Sequence, residues 1–255
     1  MESSKSKEKL RLDELLVEKA LCENKSKAKA LILAGTVLVN GQKVTKAGQK
    51  YLVESKIELL KQGHDFVSRG GLKIEHAINH FKVDIKDKVC MDIGVSTGGF
   101  TDCLLKREAK HVVAVDVGYG QIAYKLRTDP RISLFERTNI RYFDINEVDN
   151  NFSKIKLFVI DVSFISLKLI FPLFKDLTTE KEFEALCLVK PQFELSKEEV
   201  AKGGIVKDEA LRQKALNQCI AAAESEQLIC MGSTLSPIQG AKGNYEYLIH
   251  LKYKI

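Results

Sequence analysis

The sequence lacks the features that mark exported and membrane-embedded proteins. It has no apolar run near the roughly 18 residues that a membrane span needs, and residues 1–7 are too polar for the apolar part of a signal peptide. Its six cysteines are scattered, with no Cys-x-x-Cys pair and no adjacent histidine. We therefore expect reduced, buried cysteines, no disulfide framework and no metal site, in a cytoplasmic protein without a stable membrane partner.

The positive charge of the chain is concentrated near its N-terminus. Residues 1–60 hold 12 lysines and arginines against 8 acidic residues, a net +4, whereas the other 195 hold 28 against 26, a net +2. This asymmetry predicts a polyanion-binding module at the N-terminus, although a solvated basic surface explains the charge alone equally well. The length of 255 residues allows one ordinary domain beside such a module.

The first sixty residues predict two helices followed by a β-hairpin. The first helix opens near residue 11 with Asp13 as the expected N-cap. The second begins near Asn24 and ends at Gly35, a residue type that favours the position after a helix. Residues 37–44 predict the hairpin, because an Asn-Gly pair separates two short apolar runs.

This segment resembles the S4-type RNA-binding domain over residues 11–46. Glu23 and Asn24 depart from the pattern, since such domains often carry a basic residue or serine there. We assign residues 1–60 to this domain and the polar residues 61–66 to a linker. The resemblance implies that basic side chains face RNA phosphates, namely Arg11, Lys25, Lys29, Lys43 and Lys46.

Residues 89–101 predict a strand, a glycine-rich loop and the start of a helix. Apolar residues lead into Asp92, and the run Gly94-x-Ser96-x-Gly98-Gly99 follows before the helix at Phe100. Glycines in such a loop let the backbone approach a ligand closely. A second strand ends at Asp116, whose carboxylate can accept both hydroxyls of a ribose. A nucleoside-containing cofactor is predicted, and a sharp turn without any ligand is the alternative.

The details of this loop favour S-adenosylmethionine over NAD. A dinucleotide-binding loop reads Gly-x-Gly-x-x-Gly and directs a helix N-terminus at a pyrophosphate. Here Ser96 replaces the middle glycine, and Asp92 stands two residues before the first glycine. An acidic residue there suits the ammonium of a methionine moiety better than a phosphate.

The rest of the chain alternates apolar blocks with helical patterns, which predicts a doubly wound α/β sheet. The last two strands are too close for an intervening helix and predict an antiparallel pair, an ending typical of Rossmann-like methyltransferases. The predicted strands are residues 111–116, 157–161, 183–189, 227–232 and 245–252, and the predicted helices are residues 167–174 and 209–224.

Charged residues stand where ligands bind in such sheets, beyond the carboxyl ends of the strands. Asp161 and Lys190 each follow an apolar strand, and Glu246 lies in the last turn. Lys73 precedes the sheet but can fold over it. Each residue alone predicts little, because a charge after a strand is usually solvated. Together they predict one crevice that joins two amines to two carboxylates.

The four residues are similar to the Lys–Asp–Lys–Glu tetrad of ribose 2′-O-methyltransferases, and longer motifs narrow the resemblance to the TlyA family. Its members join an S4-type domain to an FtsJ-like methyltransferase domain and methylate a cytidine 2′-hydroxyl in ribosomal RNA. This chain resembles the shorter members, which act on the large subunit (23S rRNA). The matching blocks are residues 67–73, 92–102, 114–120, 136–139, 161–167, 190–194 and 236–240.

The resemblance implies a Rossmann-like seven-stranded methyltransferase sheet over residues 67–255, after a small N-terminal α+β S4-type RNA-binding domain. It also implies a role for individual residues. The catalytic residues are Lys73, Asp161, Lys190 and Glu246; the S-adenosylmethionine-binding residues are Asp92, Gly94, Ser96, Gly98, Phe100, Asp116 and Asn139; and Arg69 joins the RNA-binding residues.

The sequence leaves open two other functions and the role of Lys190 in the mechanism. A catalytically silent RNA-binding or ribosome-assembly protein would keep the basic module without needing the tetrad. A membrane-active haemolysin, a name also attached to this family, would need an apolar or strongly amphipathic segment. Within the tetrad, Lys190 either accepts the proton of the ribose hydroxyl or only positions it.

Overall fold

The computed structural model describes residues 8–33, 35–59, 65–240 and 242–254. The chain divides into two compact units, Met1–Asp65 and Phe66–Ile255. Most of the predicted linker, residues 61–64, lies outside the described residues, so the linker stays a prediction. Within the described ranges, no helix is long and apolar enough to cross a membrane.

The N-terminal unit has two small sheets and two helices around one apolar core. β1 pairs antiparallel with β4, and a second antiparallel sheet has the order β3-β2-β5. The core residues include Leu12, Ile32 and Val37, none of which is exposed. The elements are β1 (Lys9–Arg11), α1 (Leu12–Glu18), α2 (Lys25–Leu33), β2 (Val37–Val39), β3 (Gln42–Val44), β4 (Lys50–Leu52) and β5 (Ile57–Leu59).

The predicted second helix and the hairpin are confirmed. The Asn24 side chain accepts a hydrogen bond from the Lys27 backbone N–H (2.9 Å) at the start of α2. Asn40 and Gly41 have φ values of +52° and +77°. Positive φ at both central residues matches the twist of the two strands they join, β2 and β3.

The predicted N-cap of the first helix is wrong. Arg11 holds the N-cap position of α1, and Asp13 lies inside the first turn with its side chain buried. The Arg11 guanidinium donates through Nε (3.0 Å) and Nη2 (2.9 Å) to the two Asp13 carboxylate oxygens. Those hydrogen bonds lower the pKa of Asp13. The main partner of the Asp13 carboxylate is therefore the Arg11 side chain.

The C-terminal unit contains the predicted seven-stranded sheet, with the strand order β11-β12-β10-β9-β6-β7-β8. β12 runs antiparallel to both of its neighbours, and the other pairs are parallel. The elements are α3 (Gly70–Phe81), β6 (Val89–Ile93), α4 (Gly99–Lys106), β7 (His111–Val115), α5 (Tyr124–Arg127), β8 (Ile132–Phe135), β9 (Leu157–Ile160), β10 (Glu182–Val189), α6 (Pro191–Glu194), α7 (Glu209–Ser225), β11 (Ile229–Leu235) and β12 (Tyr247–Lys254).

The predicted helix over residues 167–174 is wrong. Two 3-10 turns, Leu167–Leu169 and Phe171–Leu173, occupy this segment. Pro172 explains the difference, because proline has no backbone N–H to donate to a preceding turn and disfavours a helical conformation in the residue before it. β8 was not predicted, and β11 and β12 each extend past their predicted ends at residues 232 and 252.

The central strands are buried on both faces, which explains their continuous apolar runs. Every residue of β6, β7 and β9 is buried. Alternate side chains of β6 enter two separate apolar clusters, Met91 in one and Cys90 in the other. All six cysteines are free thiols, and the predicted burial is confirmed for four of them, whereas Cys22 and Cys230 are half-buried. This rigid sheet carries the loops described below.

Glu184, near the start of β10, lies close to three basic side chains. His250 Nε2 lies 2.7 Å from one of its carboxylate oxygens, Lys88 Nζ lies 3.3 Å from the other, and Lys252 Nζ lies 3.7 Å away. The hydrogen bond with His250 is the largest cause that lowers the pKa of Glu184 to about 2. The ionised carboxylate therefore stabilises the folded state.

We predict that Glu184→Gln reduces the loss of stability in acid. A folded-state pKa below the unfolded value contributes stability that is present above the unfolded pKa and is lost as pH falls towards about 2. Urea unfolding at pH 6 and pH 3 should give a pH-dependent loss smaller by on the order of 2 kcal/mol in the variant. Glu108→Gln, at an exposed ion pair with Lys86, is the control. Equal pH dependence in wild type and Glu184→Gln would contradict the prediction.

Candidate active site

A cavity of about 560 Å³ lies in the C-terminal unit, beyond the carboxyl ends of β6, β9 and β10. Three of its walls are the loops that follow these parallel strands. The other walls come from the start of α3 and the segment before β12. The residues of the predicted site that line it are Arg69, Lys73, Gly94, Ser96, Phe100, Asp161, Lys190 and Glu246.

The loop after β6 depends on glycine at two positions. Gly94 has φ +90°, and a Cβ there would lie 2.5 Å from the backbone oxygen of Asp161. Gly98 has φ +92°, and a Cβ there would lie 2.4 Å from Cδ1 of Leu126. The backbone conformation disfavours a side chain at both positions, and at Gly94 the space excludes one as well because the nearest atom belongs to the backbone. At Gly94 the close approach is to the neighbouring loop of the protein itself.

Asp116 is held at the end of β7 by backbone N–H groups. The Ser96 N–H donates to Oδ2 and the Gly118 N–H donates to Oδ1, both over 2.6 Å. Each oxygen thus has one donor and retains capacity for another. Asn139 caps a 3-10 turn by accepting from the Arg141 N–H (3.1 Å). Neither Asp116 nor Asn139 is among the residues that line the cavity.

Asp92 is fully buried below the loop and does not line the cavity. Thr101 Oγ1 donates to Oδ2 over 2.6 Å, while Oδ1 has no hydrogen-bond partner within the described ranges. Burial is the largest cause that raises the pKa of Asp92 to about 7, and the nearby Asp161 and Asp116 carboxylates add to it. The structure therefore separates Asp92 from the other predicted cofactor-binding residues that face the cavity.

The four predicted catalytic residues form two ion pairs in the cavity wall. Lys73 Nζ of α3 lies 2.6 Å from Glu246 Oε2, and Lys190 Nζ lies 2.5 Å from Asp161 Oδ1. Lys190 also donates to Ser163 Oγ over 3.0 Å. Both lysine side chains are about nine-tenths buried, with exposed fractions of 11% and 10%. The wall therefore offers amine donors and carboxylate acceptors that compensate each other's charge.

Several cavity residues were not singled out from the sequence. Phe164 is 92% exposed, has φ +66° and lies with its ring 5.2 Å from that of Phe193. A positive φ is rare for an aromatic residue, which marks a constrained loop. Ser163 and Gln192 also line the cavity. All four lie inside motif blocks of the sequence, but nothing in the sequence alone predicts which way they face.

The predicted RNA-binding residues of the N-terminal unit differ in their surroundings. Arg11 is paired with Asp13, and Lys25 Nζ lies 2.9 Å from Glu14 Oε1. The other three, Lys29, Lys43 and Lys46, are exposed. Because nearby carboxylates compensate the first two charges, the three exposed lysines are the better candidates for phosphate contacts.

We predict that Asp92→Asn changes how stability depends on pH in the cofactor-free protein. A carboxyl with a folded-state pKa near 7 retains its proton on folding, so the wild type loses stability as pH rises from about 4 to 7. The asparagine side chain does not titrate and can still accept from Thr101. Urea unfolding at pH 5 and pH 8 should show a loss on the order of 3 kcal/mol that the variant lacks. Asp84→Asn, at an exposed site, is the control, and an unchanged slope in Asp92→Asn would refute the prediction.

Comparison with known proteins identifies both units. The FtsJ-like methyltransferase family model matches residues 66–253, and the S4 domain model matches residues 10–57. Hemolysin A of Brachyspira hyodysenteriae is 46% identical over 242 residues, which cover 94% of this chain and 99% of that protein.

Two further proteins agree with this result. The 16S/23S rRNA (cytidine-2′-O)-methyltransferase TlyA of Mycobacterium tuberculosis is 36% identical over 243 residues, which cover 95% of this chain and 89% of that protein. A solved structure described as a candidate hemolysin from Streptococcus thermophilus is 38% identical, with a TM-score of 0.75, and covers 98% of this chain and 90% of its own. The chain therefore belongs to the TlyA family, in which an S4 domain precedes an FtsJ-like methyltransferase domain.

Proposed function

We propose that the protein transfers the methyl group of S-adenosylmethionine to the 2′-hydroxyl of a cytidine in ribosomal RNA of the large subunit. The observation that carries this proposal is the pair of lysine–carboxylate contacts in one cavity, Lys73 with Glu246 and Lys190 with Asp161. The name of the Mycobacterium tuberculosis relative describes this reaction and includes 23S rRNA. A catalytically silent RNA-binding protein would not need these buried charges.

The residues around the β6 loop fit S-adenosylmethionine. Asp116 retains one acceptor site on each carboxylate oxygen, which suits two ribose hydroxyls. The Asp116 carboxylate beside the loop and the Asp161 carboxylate in the cavity wall suit a cation better than a pyrophosphate. Phe100 adds an apolar wall. When bound here, the cofactor supplies an electrophilic methyl group on a sulfonium.

The two ion pairs then act on the ribose hydroxyl. Lys190, held by Asp161 and Ser163, directs its amine at the hydroxyl oxygen and fixes its direction of approach. Methyl transfer releases the hydroxyl proton, and the carboxylates of Asp161 and Glu246 provide acceptors close by. Alignment of the two reactants in the cavity can supply on the order of 7–11 kcal/mol of the barrier. We therefore assign most of the catalysis to positioning.

We predict that Lys190→Ala reduces methyl transfer at least about a hundredfold while the affinities for cofactor and RNA stay near those of the wild type. Lys190→Arg should not restore the rate, because a planar guanidinium does not match a site built for a single amine. The measurement is a single-turnover assay with labelled S-adenosylmethionine on ribosomal RNA and on isolated subunits, followed by mapping of 2′-O-methyl groups in 16S and 23S rRNA.

Each outcome of that assay has a distinct meaning. A single methylated cytidine in 23S rRNA supports the proposal in full, and methylation of 16S rRNA as well would correct the choice of subunit. Activity of Lys190→Ala within about tenfold of the wild type would remove Lys190 from the mechanism. If the wild-type protein binds RNA but transfers no methyl group to any substrate, the protein is an RNA-binding protein and not an enzyme. Lys86→Ala, at an exposed ion pair, is the matched control.

We also predict that the N-terminal unit supplies salt-dependent affinity for RNA. Replacing Lys29, Lys43 and Lys46 together by alanine should weaken RNA binding and lower the log–log slope against salt concentration by roughly 2 to 3, since each phosphate contact contributes about 0.7 to 0.9. Cofactor affinity should not change. The control replaces three exposed lysines that precede strands of the sheet and so lie away from the cavity, Lys110, Lys154 and Lys181. Equal slopes for the two triple variants would exclude these N-terminal lysines as the phosphate contacts.

A further inference from the structure

We propose that Glu194 is a positioning residue for methyl transfer, which joins the loop carrying Asp161 to the segment carrying Lys190. This inference rests on the proposed function of the cavity. Glu194 is the last residue of α6, is 6% exposed and is not among the residues that line the cavity. It therefore acts through other residues and does not touch the substrate.

The Glu194 carboxylate holds the far end of the β9 loop. Ser166 Oγ donates to Oε2 over 2.5 Å, and the Leu167 backbone N–H donates to Oε1 over 2.9 Å. Ser166 is the N-cap of the first 3-10 turn, whose first backbone N–H groups have no partner within the turn and need other acceptors. Both oxygens of this buried carboxylate thus accept from one turn, one from the Ser166 hydroxyl and one from the Leu167 backbone, five to six residues after Asp161.

The same two segments are also joined at their near ends. Lys190 Nζ binds Asp161 and Ser163, and four residues later Glu194 binds Ser166 and Leu167. Two segments with contacts at both ends cannot slide past each other without breaking one set of bonds. The contacts of the buried Glu194 therefore help to set the distance and angle between Lys190 and Asp161.

A third set of contacts attaches these two segments to helix α7. Lys168 Nζ donates to the backbone oxygen of Glu194 (3.2 Å) and to Gln218 Oε1 of α7 (3.1 Å). These bonds connect the β9 loop, α6 and α7. Residues packed and hydrogen-bonded behind a site in this way keep its side chains within the narrow geometry that catalysis needs.

The test compares Glu194→Ala and Glu194→Gln with Glu199→Ala in the full-length chain. Glutamine retains an oxygen acceptor for the Leu167 N–H, and its amide can donate to Ser166. Glu199 is a matched carboxylate five residues later, bound to Lys214 of α7 and not to the β9 loop. The readouts are the single-turnover rate at saturating cofactor and RNA per folded molecule, the KM for RNA, and hydrogen exchange of the amides of residues 162–168.

We expect Glu194→Ala to lower the rate at least fivefold with KM changed less than twofold, since a misplacement of about 1 Å at a reacting group can cost roughly a hundredfold. Amide exchange near Leu167 should accelerate, glutamine should restore both readouts, and Glu199→Ala should leave them unchanged. A rate within fivefold of the wild type would overturn the proposal. So would a loss that glutamine does not restore or that Glu199→Ala shares, because either result indicates a merely structural role.

Two outcomes need criteria of their own, namely a variant that does not fold and a wild-type protein that transfers no methyl group. If Glu194→Ala does not fold, Ser166→Ala removes one of the two donors and is judged by the same criteria. If the wild-type protein transfers no methyl group, the proposed function fails. Hydrogen exchange alone then tests whether Glu194 holds the loop that follows β9. Unchanged exchange at residues 162–168 in Glu194→Ala would then refute it.

Discussion

The parallel pairing of β6, β9 and β10 is the constraint on which the site depends. Ile93 pairs with Ile160, and Ile160 pairs with Cys187, so the loop after each strand leaves the sheet at the same edge. Gly94 follows Ile93, and Asp161 follows Ile160, with the Asp161 N–H donating to the Ile93 oxygen over 3.0 Å. The strands bury apolar residues on both faces, which makes this alignment rigid. The β6 loop and the Lys190–Asp161 pair are thus neighbours because their strands are neighbours.

Charge compensation explains how so many ionisable groups fit in one small region. The two lysines of the cavity are each paired with a carboxylate, and nearly all of this charge is buried. An unpaired charge at such burial would be costly, so each partner is required for the other to stay. Asp92 has no cationic partner within the described ranges, so its burial raises its pKa without a positive charge to oppose it. The C-terminal unit therefore contains carboxylates that are paired with lysines, Asp161 and Glu246, and one that is not, Asp92.

Much of the fold followed from the sequence because its signals are local. Apolar blocks predicted the strands, Asn-Gly predicted the hairpin, and glycines predicted the β6 loop. Local signals failed where a distant or competing contact decides the outcome. Asp13 has the right residue type for an N-cap, but a guanidinium two residues earlier binds it. Residues 167–174 have a helical spacing, but Pro172 divides them into two short turns. Neither outcome can be read from apolar periodicity.

The sequence predicts which residues form the candidate site but not which of them contact each other. Motif resemblance named the four tetrad residues, and only the three-dimensional structure shows which lysine meets which carboxylate. Gly94 illustrates the same limit, because the sequence explains it by close approach to a ligand. In the structure a side chain at Gly94 would collide with the backbone oxygen of Asp161. A substitution there would displace the loop that carries one half of the Lys190–Asp161 pair. Glycine at position 94 and the geometry of the Lys190–Asp161 pair are therefore one structural requirement.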